Sequence, residues 1–216
     1  MLQRVKNLVA QQMRNRQSEE LIASGGAPAS WYDDAYSGVV DEYTVHYSQS
    51  RYLPVWEAIG DGIPQGASIL EVGCGPAQLA HMLFDRGLPS DYVGFDFSPA
   101  AIELAKKNFP GKRVEVGDAR TTDLFRSVDY DTVVCTEVLE HIIDDVRVLE
   151  QIPKGKHVLA TVPNFDYVSH VRFFANTDEV RARYGFLFDS LDITEHFHAD
   201  DPDGSHGVFF LLNGVR

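Results

Sequence analysis

The chain of 216 residues is poor in cysteine, with two, and in methionine and tryptophan, with three and two. Cys74 and Cys135 each close an apolar run, and neither belongs to a C-x-x-C pair. This argues against a disulfide framework or a cysteine zinc site and for reduced thiols in a cytoplasmic compartment. No run approaches the roughly 20 apolar residues that a membrane span needs. The opening stretch MLQRVKNLVAQQMRNRQ lacks the continuous apolar core and small-residue cleavage site of a secretory signal, so none is expected. Positive charge is also scarce: 19 Lys and Arg stand against 32 Asp and Glu, a formal net charge of −13. A protein that grips phosphates concentrates Lys and Arg on one face, so the balance argues against a nucleic-acid substrate. The charge is uneven. Residues 1–17 carry Arg4, Lys6, Arg14 and Arg16 and no acid, whereas residues 187–203 carry six acids and no Lys or Arg. Both read first as solvated segments.

What is present is enough for one domain with a sizeable core: 44% of the residues are hydrophobic and 24% charged. The most informative stretch is Ser68-Ile-Leu-Glu-Val-Gly-Cys-Gly-Pro-Ala-Gln-Leu79. It reads as a buried strand ending in an acid, Glu71, then a tight turn and a helix start. Gly73 and Gly75 let a ligand approach the backbone closely, and Pro76 suits the first helical position. Such a turn holds a nucleotide-type cofactor in doubly wound α/β proteins. A dinucleotide turn wants a third glycine where this chain has Gln78, and a P-loop wants a lysine and a hydroxyl that are missing here.

From residue 67 onward, short apolar runs alternate with amphipathic stretches. Strands are expected at 68–72, 91–96, 112–117, 130–135 and 156–162, with helices at about 76–86, 98–109, 121–126 and 138–150. A short helix near 177–184 and two strand-like runs, 186–197 and 207–213, follow. Upstream, helical periodicity over 1–23 and an aromatic-rich stretch over 31–64 suggest helices preceding the main fold. Asp96 ends the second strand 23 residues after Gly73, where a carboxylate can accept both hydroxyls of a ribose.

The E-x-G-x-G pattern at Glu71, Gly73 and Gly75, followed by acids at successive strand ends, resembles the class I S-adenosylmethionine (SAM) methyltransferases. The resemblance runs over residues 67–163. It implies an α/β fold: a Rossmann-like, doubly wound, seven-stranded sheet of five parallel strands plus a C-terminal antiparallel hairpin. Residues 1–60 would be an N-terminal helical cap acting as a lid, and 61–216 the SAM-binding domain. The resemblance assigns cofactor contacts to Glu71, Gly73, Cys74, Gly75, Asp96, Phe97, Ser98, Asp118, Ala119, Thr136 and Glu137. Asp118 would receive the adenine amino group, the Ala119 N–H would meet the ring, and Thr136-Glu137 would lie beside the methionine moiety. A nicotinamide cofactor fits less well, because no Tyr-x-x-x-Lys pair accompanies the turn.

Chemistry on the acceptor centres on Glu137-Val-Leu-Glu140-His141. On a helix, Leu139, Ile142, Ile143 and Val146 would form an apolar stripe, leaving Glu137, Glu140 and His141 on the opposite face. This E-x-x-E-H segment resembles ubiquinone-biosynthesis O-methyltransferases and small-RNA 2′-O-methyltransferases. In the RNA branch it ligates a divalent metal together with a later histidine, matched here by His170 after Pro163-Asn164. His170 follows His141 by 29 residues, fewer than in that branch. Three readings therefore stand. Glu137, Glu140, His141 and His170 bind Mg²⁺ or Mn²⁺; His141 or His170, with Glu140, serves as an acid–base catalyst; or the roles are structural. Tyr36, Tyr47, Asn164, Tyr167 and Arg172 would line the acceptor pocket. His81 reads as structural within its helix, and His196, His198 and His206 read as surface loop. The expected activity is methyl transfer to a hydroxyl or amine of a small molecule, by a monomer or homodimer. The alternatives are a metal-assisted RNA 2′-O-methyltransferase and a SAM-binding partner subunit without catalysis.

Overall fold

The computed structural model describes residues 26–36, 43–201, 203–205 and 207–216, together with Glu20 and Ala23. The helix expected over 1–23 falls outside the described residues apart from those two positions, and His206 falls outside them as well.

Seven strands form one sheet in the order β3-β2-β1-β4-β5-β7-β6. β1 (Ala67–Val72), β2 (Pro89–Asp96), β3 (Arg113–Val116), β4 (Thr132–Cys135) and β5 (His157–Pro163) run parallel. β7 (Val208–Val215) slots antiparallel between β5 and the edge strand β6 (Ser190–Phe197). The central parallel strands β1, β4 and β5 are almost wholly buried because both faces of the sheet are covered there. In β1, Leu70 and Val72 join one core with Phe95, Phe125, Leu149 and Tyr184. Ala67 and Ile69 join the other, with Ile59, Leu83 and Ile102. β7 splits the same way, Phe210 and Leu212 to one side and Phe209 and Leu211 to the other. Each such Leu, Ile or Phe contributes about 1.5–3 kcal/mol through burial.

The helices between strands start and stop where local chemistry permits. α1 (Ala29–Asp34) and α2 (Leu53–Gly62) precede the sheet, with a one-turn 3₁₀ segment at Tyr47–Gln49 between them. α3 (Gln78–Asp85) follows β1 and α4 (Pro99–Asn108) follows β2. Pro99 begins α4, and the Ser98 hydroxyl accepts the Ala101 N–H at 3.1 Å as its N-cap. α5 (Leu124–Ser127), α6 (Asp145–Glu150) and α7 (Thr177–Tyr184) complete the set. Asn176 caps α7, and Glu179 reaches back to the Ala175 N–H at 2.8 Å.

Three sequence expectations need correction. Pro76 does not open α3: Gly73, Gly75 and Ala77 all have left-handed φ (68°, 50° and 64°), so the turn continues to Ala77 and the helix starts at Gln78. The run 186–197 is not one strand, because a 3₁₀ turn at Gly185–Leu187 precedes β6. The helix expected over 138–150 is broken. A 3₁₀ turn at Leu139–His141 gives way to extended backbone at Ile142, and α6 begins only at Asp145. Arg172 accounts for the break. Its guanidinium donates to the carbonyls of Leu139 (2.6 Å), Ile142 and Ile143 (2.8 Å), which a continuous helix would have kept for itself. Glu140 and Leu139 are consequently both buried and Ile143 is exposed, so the expected stripe does not exist.

Candidate functional site

Strand order reverses between β1 and β4, and a cavity of about 540 Å³ opens at the C-terminal ends of the strands there. The Gly73 and Cys74 N–H groups both donate to the Phe95 carbonyl, at 2.8 and 3.0 Å, which fastens the glycine turn to β2. A Cβ on Gly73 would sit 2.2 Å from Val138 Cγ2, so this position has both the left-handed φ and the close packing that demand glycine. Asp96 completes the turn. Its carboxylate accepts the Gly75 N–H at 3.0 Å and the Ser98 N–H at 2.8 Å. Burial pushes Asp96 up to about 6 against the pull of these two donors. Glu71 is also buried and is pushed to about 7 by desolvation, while the Tyr92 hydroxyl donates to it at 2.6 Å. Asp118 differs: Arg120 clasps its carboxylate, with contacts of 2.6 to 3.1 Å, and holds it below the ordinary range.

Eleven cofactor contacts are expected from the sequence. Ten of them line the cavity: Glu71, Gly73, Cys74, Gly75, Asp96, Phe97, Asp118, Ala119, Thr136 and Glu137. Ser98 does not line it. Its hydroxyl caps α4 and donates to Asp33 at 2.5 Å, which pins α1 onto the start of α4. Glu137 occupies a left-handed conformation (φ 55°), rare for a side chain of its size and costing about 1–3 kcal/mol. Thr161 holds it there by accepting its N–H at 3.1 Å and donating its own hydroxyl to Oε1 at 3.2 Å.

Beyond Glu137, the cavity is walled by His141 and His170, whose rings lie 4.9 Å apart. Each Nδ1 faces a backbone carbonyl, Ser169 O at 3.0 Å for His141 and Phe165 O at 3.1 Å for His170. A carbonyl only accepts, so each ring carries its proton on Nδ1 and keeps a lone pair on Nε2. Burial depresses both imidazoles, His141 to about 3 with help from its neighbour His170, so both stay neutral near pH 7. Glu140 lies behind them, shut off from solvent and from the cavity lining. Neither of its carboxyl oxygens has a hydrogen-bond partner, and Oε1 lies 3.8 Å from His141 Nε2. Desolvation and then the adjacent Glu137 raise its pKa strongly. The ligand-capable atoms of Glu140, His141 and His170 all lie within 4.8 Å of one another, and Glu137 is outside this group.

The residues expected to line an acceptor pocket divide. Tyr36 and Tyr167 line the cavity. Tyr47 does not; its hydroxyl is spent on Asp85 at 2.7 Å. Asn164 is a brace, with Oδ1 accepting the Val208 N–H at 2.7 Å. Arg172 serves the carbonyls described above and pairs with Asp145 at 3.0 Å. Sequence reasoning missed Thr161, Ser169 and Phe165. The first acts through a side chain on β5 and the others through backbone carbonyls, which no residue type announces. Trp31, Tyr32, Tyr43, Tyr52 and Trp56 add an aromatic wall from the segment before the sheet.

Residues 70–155 match a family model described as a methyltransferase domain. Over 108 residues the chain is 32% identical to the ubiquinone biosynthesis O-methyltransferase of Alkalilimnicola ehrlichii, which covers 46% of this chain and 43% of that one. The chain thus spans less than half the length of that relative. Among solved structures, an S-adenosylmethionine-dependent methyltransferase from Mesorhizobium loti superposes with a TM-score of 0.58 at 17% identity, covering 79% of this chain and all of that one. A magnesium protoporphyrin IX methyltransferase from Synechocystis with bound SAM gives a TM-score of 0.55 at 16% identity, over 75% of this chain and 78% of the other. Both have the same fold.

Proposed function

We propose that this chain, which belongs to the class I S-adenosylmethionine-dependent methyltransferase superfamily, moves a methyl group from SAM to a hydroxyl or amine of a small organic acceptor. Asp96 accepts the ribose hydroxyls, Gly73 and Gly75 let the cofactor approach the backbone, and Asp118 and Ala119 meet the adenine. Thr136 and Glu137 adjoin the methionine moiety. The acceptor lies among Tyr36, Tyr167 and the aromatic wall. Its oxygen or nitrogen attacks the sulfonium methyl, the C–S bond breaks, and the electron pair stays on sulfur. The acceptor's proton passes to an imidazole. Alignment and exclusion of water are the chain's main contribution, because the sulfonium already supplies the driving force.

The observation that carries this reading is the pair of neutral imidazoles with both tautomers fixed. Both rings border the cavity, and an imidazole with a lone pair on Nε2 has the form a general base requires. A second reading draws on Glu140: a buried carboxyl stays protonated unless a cation compensates its charge, and a bound divalent ion would supply that cation. Glu140, His141 and His170 offer two imidazoles and a carboxylate to a divalent transition ion such as Mn²⁺, and histidines that donate Nδ1–H to carbonyls are oriented as ligands usually are. Such an ion would acidify an acceptor hydroxyl.

The test is release of S-adenosylhomocysteine with a panel of small hydroxylated and amino acceptors. His141→Ala is expected to lower turnover at least a hundredfold while changing SAM affinity less than threefold, on the scale of general-base losses. Parallel loss of both would make His141 structural. Activity abolished by EDTA and restored by Mn²⁺ selects the metal reading; activity indifferent to EDTA selects the base.

A further inference from the structure

A second cluster of metal-ligating groups lies away from the cavity, on the outer side of α3. His81 and Asp85 stand four residues apart on that helix and so share a face. His81 Nε2 is 3.8 Å from Asp85 Oδ1. His46, just before the 3₁₀ turn, brings its ring to 5.3 Å from that of His81, nearly at right angles. The ligand-capable atoms of the three residues all lie within 4.8 Å of one another.

The surroundings orient these groups. The Tyr47 hydroxyl donates to Asp85 Oδ2 at 2.7 Å, turning Oδ1 toward His81. His46 Nδ1 accepts the Ser48 N–H at 3.3 Å and lies 2.9 Å from the Ser48 hydroxyl, contacts that hold the ring at the start of the 3₁₀ turn. Tyr47 also packs on both imidazoles, at 4.2 and 5.4 Å. Partners of this kind around histidine and carboxylate ligands fix ring and carboxylate orientation.

We propose that His46, His81 and Asp85 bind a zinc ion. Two imidazoles and one carboxylate form a donor set typical of Zn²⁺, with water in the fourth position. Around a tetrahedral ion with bonds of about 2.0–2.1 Å, ligand atoms lie roughly 3.4 Å apart. The closing movement is therefore on the order of an ångström, within reach of side chains at the surface. The ion ties the segment before α2 to the helix that follows the glycine turn. A hydrogen bond from Gln78 Nε2 to the Val45 carbonyl at 2.7 Å already joins the same two pieces. Tyr43, three residues before His46, lines the main cavity, so zinc would stiffen one wall of it.

The experiment is equilibrium dialysis of the untagged full chain against ZnCl₂, in a His141→Ala/His170→Ala background so that the other histidine pair contributes nothing. One zinc per chain is expected in that background. Adding His46→Ala or His81→Ala should weaken binding at least tenfold, and Asp85→Asn several-fold. Zinc should raise the urea midpoint of the background protein but not of the His81→Ala protein; His81→Gln serves if His81→Ala unfolds. No zinc bound in the background protein, or an affinity unmoved by these substitutions, would overturn the proposal.

Discussion

Asp96 holds its charge against its surroundings. It is 5% exposed, and only two backbone N–H groups offset the desolvation that lifts it to about 6. Ribose hydroxyls donate to the ionised carboxylate, so SAM prefers that form and draws the pKa down on binding. Affinity should therefore climb as pH rises from 5 to 7 and level off above. Asp96→Ala should bind SAM more than tenfold more weakly and show a flatter profile. Calorimetry at pH 5.5 and 7.5 measures both, and an affinity unchanged by the substitution would remove Asp96 from the cofactor site. At this scale the glycines and the acid-bearing strand ends were legible in the sequence, because a close backbone approach and a ribose each demand particular residue types. The left-handed backbones of Ala77 and Glu137 were not legible. Neither residue type favours that conformation, and Glu137 is held in it by a residue far along the chain, Thr161.

Among the elements, the failed helix at 138–150 is instructive. Its apolar spacing fits a helix, and periodicity sees only neighbours. What broke it was Arg172, some thirty residues downstream. That arginine is held in turn by Asp145, a fully buried hub that also accepts Arg183 at 2.5 and 2.8 Å and the Tyr184 hydroxyl at 2.6 Å. One carboxylate thus joins α6, α7 and the loop that carries His170. Removing one partner of a buried ionic network leaves the others uncompensated. Asp145→Ala should destabilise the fold by about 3–5 kcal/mol, read from urea melts. A loss under about 1 kcal/mol would mean that the arginines find other partners. The elements that were legible, β1 to β5 and the capped helices α4 and α7, are those whose boundaries rest on local chemistry.

For the whole molecule, the charge excess argues against a phosphate-backbone partner. A net charge of −13 repels phosphate backbones, and counterion release has few Lys and Arg to work with. Short RNAs labelled for fluorescence anisotropy should show no binding at micromolar protein in 50 mM salt. Binding that weakens steeply with added salt would instead favour an RNA acceptor. No helix among the described residues is long and apolar enough to cross a membrane. The alternation of short apolar runs with amphipathic stretches located the strands, while five parallel strands plus a C-terminal hairpin in one seven-stranded sheet were expected through the family resemblance.

The two walls of the cavity come from different parts of the chain. Strand ends between residues 71 and 137 build one, while residues from 27–36, 43–56 and 165–170 build most of the other. The stretch that matches the family model, 70–155, contains the first wall and stops short of the second on both sides. The family match and the second wall are therefore separated along the chain. Substitutions in the flanking segments can thus reshape one half of the chamber while leaving the other untouched.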